Sequence, residues 1–566
     1  MSVLCFLGYL IFSPLYTTNS IIVDYGLHTF DICTEQPIIW KYCKIWFCFT
    51  YLFSSFFIAN LLFHIFHSLF QFQIFPHKKL KKRKKTSPQY SFINLVSQAP
   101  LQLLIGENKQ THELLYLPEK SLYQNILITG TIGTGKTSSA MYPFTKQLIE
   151  YSHDDKTKKL GMLILDVKGN YYRKVLEFAC ACNRQEDVIV IELNGKYKYN
   201  PLDKPHLKPS ILANRLKTIL LLFSPNNSES YWLDESAKVL EECIKLCRLY
   251  NNGYVTFEEL HKLVTLPNYY LEKIAILREN FLQNKLTQIQ IYDLLSSLTF
   301  FQKEFLSLDQ RTLSILKSEI TRITNCFISD YEVLKTFNPS KSELNFFGFE
   351  EVLEKGKIVV LNMNINEYSN LSKIIATYLK LDFQTDVMTR LSKYSNHCFR
   401  SCCFISDEYA EYCTTTDANF FAQSREAKCI NIVATQSYTS LLNTLHDQSA
   451  VNVIIQNLIN KLWFRSDDIF TIETAQKQIG KEDKEKISKG FSENAKETVF
   501  NYFTNSFNSK NSSISETFST YLHSDFIYDT NYFTQSLQNF CCLSFLSNGE
   551  KIIPPQEIKL FPYFKS

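Results

Sequence analysis

Fifteen glycines occur in this 566-residue chain, and three of them crowd into GTIGTGKT at residues 130–137. Gly130, Thr131, Ile132, Gly133, Thr134, Gly135, Lys136 and Thr137 match the pattern G-x-x-x-x-G-K-[ST]. The chemistry of that spacing is phosphate binding. Glycines let the backbone curl until successive N–H groups point inward at phosphate oxygens. Lys136 supplies a point charge for the terminal phosphates, and the Thr137 hydroxyl suits Mg2+. A plain glycine turn would account for the glycines and leave Lys136 without a role. A second acidic element stands far along the chain, in CCFISDEYAEY at 402–412. Asp407 there is placed to hold Mg2+ through water, and Glu408 to polarise an attacking water as general base. A surface acidic pair after a strand is the simpler alternative, and the glycine loop argues against it. The cofactors expected are ATP and Mg2+. Ser406 is unusual, because an apolar residue normally precedes such a pair.

These residues need a scaffold that presents loops from strand ends. Short aliphatic runs supply it: NILIT (125–129), GMLILD (161–166), DVIVIE (187–192), KIVVLNM (357–363), CCFISDE (402–408), INIVATQ (430–436) and KLWFRS (461–466). Helical patterns separate most of them, which predicts an α/β fold with a parallel sheet. The glycine loop lies between one such strand and a helix, the setting its chemistry needs. Between Lys196 and Phe347 the only glycine is Gly253, and Leu233, Ala237, Leu240, Ile244 and Cys247 repeat at helical spacing. An all-α domain at about 209–335 is therefore expected, inserted into the α/β domain. Residues 481–519 are rich in Lys, Glu, Asn and Ser and predict exposed loops and short helices.

Composition fits a globular chain of two or more domains, with 45% hydrophobic and 20% charged residues. The net charge of +4 excludes a globally basic nucleic-acid binder, so any basic surface must be local. The sixteen cysteines lack the repeated CxxC spacing of a zinc site and read as reduced thiols. The N-terminus differs from the rest. Residues 45–75 hold no Lys, Arg, Asp or Glu, and HKKLKKRKK at 77–85 follows with seven basic residues. That pairing predicts a membrane span at about 45–66 with a cytoplasmic flank. A shorter apolar segment at about 2–16 suggests a first span and a two-span anchor; the alternative, a signal peptide, lacks the expected basic n-region. The expected organisation is an anchor at 1–76, a basic linker and the start of the nucleotide domain at 77–120, its first part at 121–208, the all-α insertion at 209–335, and its second part at 336–566. The expected location is the cell membrane, multi-pass, with the bulk of the chain cytoplasmic.

Several motifs together resemble the coupling proteins of type IV secretion and conjugation, the TraG/TraD-like group. Pro143 sits where that family has a proline in the helix after its glycine loop. LDVKGN (165–170) resembles its D-P-K-G-E motif, and YNPL (199–202) its N-P-L motif. YWLDESAKVL (231–240) looks like the Trp-led opening of its all-α domain, and SREAKCINIVATQS (424–437) its R-x-x-G-x-x-x-x-x-x-x-Q-S block. TAQKQIG (474–480) and NGEKIIPPQEIKLFPYF (548–564) are also similar. Val167, Asn170 and Lys428 depart from the family's proline, glutamate and glycine, and no G-S-A-R-W block precedes the loop.

The resemblance implies a RecA-like P-loop ATPase that assembles as a homo-hexamer at the inner membrane. It implies binding of a relaxase–DNA complex and the driving of single-stranded DNA into the channel proteins of the secretion system. It also implies that Arg425 reaches the γ-phosphate of a neighbouring subunit and that Gln436 senses that phosphate. The residues alone leave Arg425 equally readable as a surface arginine. KGNYYRKVL (168–176) fits either a pore lining or a helix cap. The competing functions are another hexameric membrane DNA translocase, or an ATP-clamped membrane receptor for secreted substrate with little turnover.

Overall fold

The computed structural model describes Phe49, Phe53 and residues 100–565, apart from 167, 223–229, 267, 284, 394–398, 495–498, 502–505 and 509–512. Contacts divide the chain into two units, Met1–Tyr90 and Ser91–Ser566. The expected spans at 2–16 and 45–66, Phe49 and Phe53 aside, and the basic cluster at 77–85 lie outside the described residues. Among the described residues no helix is long and apolar enough to cross a membrane.

Fifteen strands are described: β1 (Gln102–Asn108), β2 (Leu114–Pro118), β3 (Ile126–Thr129), β4 (Gly161–Leu165), β5 (Val188–Ile191), β6 (Ile358–Leu361), β7 (Cys402–Ser406), β8 (Cys429–Thr435), β9 (Asn460–Trp463), β10 (Lys481–Asn494), β11 (Val499–Asn501), β12 (Ser506–Asn508), β13 (Ser513–Phe526), β14 (Cys541–Phe545) and β15 (Gln556–Lys559). Eleven of them form one sheet in the order β2-β1-β15-β14-β9-β3-β8-β7-β4-β6-β5. From β9 to β5 every pairing is parallel. β14, β15, β1 and β2 extend the β9 edge in antiparallel fashion.

The seven aliphatic runs in the sequence are the seven parallel strands. They are apolar nearly throughout because both faces are covered. Ile126, Ile128, Met162, Ile164, Ile405 and Ile432 pack on one side. Leu127, Leu163, Leu165, Phe404 and Val433 pack on the other. The mixed α/β architecture with a large, mostly parallel sheet is the expected one.

Among the described residues, Pro209–Phe337 contains helices and no strands. Leu233, Ala237, Leu240, Ile244 and Cys247 are all buried along the helix Ser230–Tyr250. A buried ionic cluster ties the region's entry to the helical segment Ile365–Lys393, which is kinked at Ser369. There Asp382 accepts from the Tyr199 hydroxyl at 2.8 Å, pairs with Lys204 at 2.7 Å and pairs with Arg215 at 3.0 Å. The YNPL residues take part directly. Beside Tyr199, the Asn200 amide donates to the Val255 carbonyl at 2.8 Å.

Where residues 481–519 are described, they are strands and not the expected loops and short helices. β10 and β13 pair antiparallel over fourteen positions, from Lys481 opposite Phe526 to Asn494 opposite Ser513. The physical reason is that a projecting ribbon satisfies its backbone by pairing alone. It needs no apolar face, so the period-2 signal of a half-buried strand is missing.

Candidate active site

Open parallel sheets bind ligands beyond the carboxyl ends of their strands. Here five loops leave that end side by side. The glycine loop follows β3, Gln436 follows β8, Asp407 and Glu408 follow β7, Asp166 and Lys168 follow β4, and Arg465 follows β9.

The loop's shape comes from its glycines. Gly130, Gly133 and Gly135 have φ of 156°, 80° and 98°. At Gly130 a Cβ would lie 2.5 Å from Phe464 Cβ, so a side chain is excluded there on space as well. The loop is tied at its base, where Gly130 N–H donates to the Gln436 carbonyl at 3.3 Å and Thr131 N–H to the Arg465 carbonyl at 2.9 Å. The Thr134 hydroxyl closes the turn on the Thr131 carbonyl at 2.8 Å. Ile132 stands exposed at the tip. Lys136 begins a helix whose first six residues are π-wound before regular α geometry takes over at Tyr142. Pro143 explains the wide turn: it has no N–H for the carbonyl four residues back.

Lys136 is buried, and its ammonium donates to the Gly130 carbonyl and, at 3.2 Å, to that of Thr131. Burial lowers its pKa, while Glu408 and Asp407 act in the opposite sense. The Thr137 hydroxyl donates to Asp407 Oδ2 at 2.9 Å. Two residues 270 positions apart thus meet at the point where a hydroxyl and a carboxylate would share a divalent cation. Asp407 is nearly inaccessible, and its backbone N–H bonds the Leu165 carbonyl at 3.0 Å. Burial, then the charges of Asp166 and Glu408, push its pKa up to about 6. A buried acid pressed by two others is a place where a cation would relieve repulsion. The donor set and the left-handed glycines fit a Mg2+–nucleoside triphosphate.

Glu408 occupies the left-handed region, with φ of 52°. The Gln436 amide donates to its two carboxylate oxygens at 3.3 and 3.4 Å, and Lys168 Nζ lies 3.8 Å from Oε1. Ser406, the oddity before the acidic pair, is buried and donates to the Tyr412 hydroxyl at 3.1 Å; that hydroxyl donates to the Asp407 carbonyl at 2.8 Å. The serine therefore helps fix the turn that carries the acids.

Lys136, Thr137, Asp407, Glu408 and Gln436 come together. Arg425 does not join them. It is exposed and precedes the amino end of β8, whereas Gln436 follows the carboxyl end. Seven residues of strand put roughly 20 Å between them. Lys428, where the family motif has glycine, has φ of 50°. The backbone there adopts the conformation that favours glycine, and lysine carries the strain.

Two site residues were not singled out from sequence as such. Lys168, read as pore lining or helix cap, pairs with Glu408. Asp166 accepts backbone N–H bonds from Lys168 at 3.1 Å and from Asn170 and Tyr171 at 3.2 Å, which shapes the loop holding that lysine. The signal was the LDVKGN motif, whose lysine and aspartate follow a strand end as the acidic pair does.

No protein-family model matches the sequence, and no curated protein matches it. Solved structures do resemble the fold. The unbound monoclinic form of the bacterial conjugative coupling protein TrwBΔN70 superposes with a TM-score of 0.54 at 11% identity, covering 82% of this chain and 90% of that one. TrwB with the non-hydrolysable ATP analogue ADPNP gives 0.53 at 11% identity, covering 82% and 94%. TrwB with ADP and Mg2+ gives 0.53 at 12% identity, with the same coverage. At these identities the likeness is one of fold.

Proposed function

We propose that this chain is a coupling ATPase of a type IV secretion or conjugation system. It hydrolyses ATP and uses the energy to drive single-stranded DNA, delivered with its relaxase, into the secretion channel. The observation that carries the proposal is the 2.9 Å contact between Thr137 and Asp407, with Glu408 and Gln436 alongside. The fold shared with TrwB, solved with an ATP analogue and with ADP and Mg2+, supports the same assignment.

The residues divide the work. Residues 130–137 wrap the phosphates with backbone N–H groups, and Lys136 exchanges its two carbonyl partners for phosphate oxygens. Thr137 and Asp407 would hold Mg2+, which would supply positive charge against the phosphates. Glu408 accepts the proton of the attacking water as the water's oxygen bonds to the γ-phosphorus and the bond to the ADP oxygen breaks. Gln436 touches both Glu408 and the base of the glycine loop through its side chain and carbonyl. It therefore reports loss of the γ-phosphate to β8.

Arg425 lies too far away to act on its own subunit's nucleotide, which favours action across a subunit boundary in a homo-hexamer. Cleavage then loosens one interface at a time, and bound DNA held by its phosphates advances. The anchor expected at residues 1–76 would set this motor at the membrane with its bulk in the cytoplasm. The test is ATP turnover by the full-length protein in detergent, with and without single-stranded DNA. Turnover that rises with DNA supports a motor. Absence of turnover in every condition refutes it.

A further inference from the structure

The acidic residues fix the direction of a bound nucleotide. Asp407, Glu408 and Gln436 stand on the β7–β8 side of β3, so the γ-phosphate faces that way. The other end of the nucleotide must leave toward β9 and β14, on the opposite side of β3. On that side an aromatic group waits against the loop. Phe540, one residue before β14, lays its ring edge on Gly135, where an added Cβ would lie 2.5 Å from it. Its N–H donates to the Thr134 carbonyl at 3.0 Å, and its carbonyl accepts from Leu560 N–H at 2.8 Å. Those two bonds hold Phe540 at φ of 63°, a strained conformation for a bulky side chain. Strain of this kind is retained where the surroundings over-determine it, often at ligand clamps.

The Phe564 ring stands beside that of Phe540, with centroids 6.0 Å apart and planes inclined by 73°. It is 57% exposed, a large apolar surface left open next to a phosphate loop. Tyr563 braces it at 5.5 Å and is itself edge-on to Tyr142 of the loop's own helix at 5.2 Å. The corner is thus rigidly joined to the helix that starts at Lys136.

We infer that Phe564 and Phe540 form the platform on which the nucleobase of the bound triphosphate stacks. This rests on the nucleotide assignment of residues 130–137. A π face is common to adenine and guanine, so the platform gives affinity with little discrimination between them.

The test compares ATP, GTP and inorganic tripolyphosphate, each with Mg2+, on the full-length protein in detergent. Phe564→Ala should raise KM for ATP and for GTP about 5- to 150-fold, the worth of one base–aromatic stack. It should leave kcat and the affinity for tripolyphosphate, measured by competition against ATP, within twofold. Phe564→Trp should restore KM. Because Phe564 is exposed, its loss leaves the fold intact, and a circular dichroism spectrum checks this. A change shared equally by tripolyphosphate would mean that the tail only shapes the loop, and would overturn the platform. No change in KM for ATP would overturn it as well. If the wild type binds neither ATP nor tripolyphosphate, the nucleotide assignment itself fails, a result distinguishable from failure of the stack alone.

Discussion

Replacing Asp407 with Asn should stabilise the protein while abolishing its chemistry. The carboxyl is nearly fully buried, and burial, Asp166 and Glu408 together raise its pKa from 3.8 to about 6, against the opposing Thr137 hydrogen bond. A folded pKa above the unfolded one means that the folded state holds its proton more tightly. Folding is then unpenalised below about pH 4, loses stability as pH rises from about 4 to 6, and bears the full cost above that. Two pKa units correspond to about 3 kcal/mol. Asn carries no charge at any pH, and its amide oxygen still accepts from Thr137. The variant should therefore exceed the wild type by up to about 3 kcal/mol at pH 8, and the gap should close near pH 4. Urea unfolding of nucleotide-free protein at both pH values measures this. Mg2+-dependent turnover of the same variant should fall by two or more orders of magnitude. A variant no more stable than wild type at pH 8, or a gap that does not shrink on acidification, would show that Asp407 does not hold a strained charge awaiting a cation.

Other expectations concern single side chains. Lys136→Ala should abolish ATP hydrolysis, and a purified variant with normal turnover would refute the loop's assignment. Glu408→Gln should bind nucleotide with near-normal affinity in a fluorescent-analogue titration yet lose about 10²- to 10⁴-fold in kcat; an unchanged kcat would remove it as the base. Arg425→Ala should lose turnover alone and regain part of it in oligomers mixed with Lys136→Ala subunits, whereas no rescue at any ratio would argue against action in trans. Lys428→Gly should raise stability by about 0.5–1 kcal/mol, because it relieves a left-handed backbone; destabilisation would contradict that account.

Much of this was legible in the residues. Strands buried on both faces need apolar residues at every position, so the seven parallel strands announced themselves as unbroken aliphatic runs. The glycine loop did so through residues that only a curled backbone requires. The antiparallel edge was harder to see. β1 is interrupted at Gly106, where its register shifts and where a Cβ would lie 2.5 Å from the Lys559 carbonyl oxygen. β15 is four residues with a single buried side chain. Such strands owe their pairing to neighbours distant in sequence. The β10–β13 ribbon was hidden for the opposite reason, since its described side chains are mostly exposed. The departure at Lys428 was visible, but its meaning was not. Only the backbone angle explains why glycine suits that position. Lys168 belongs to the same class: its motif could be read, whereas its partner Glu408 comes 240 residues later in the chain.

The central claim is that this site turns over ATP as part of a motor that moves DNA. The most direct measurement is the rate of ATP hydrolysis by the full-length protein as single-stranded DNA is titrated at fixed, low salt. A saturable, several-fold stimulation is expected, absent in Glu408→Gln and weakened by added salt as phosphate contacts are screened. Steady hydrolysis that DNA leaves unchanged would contradict the motor.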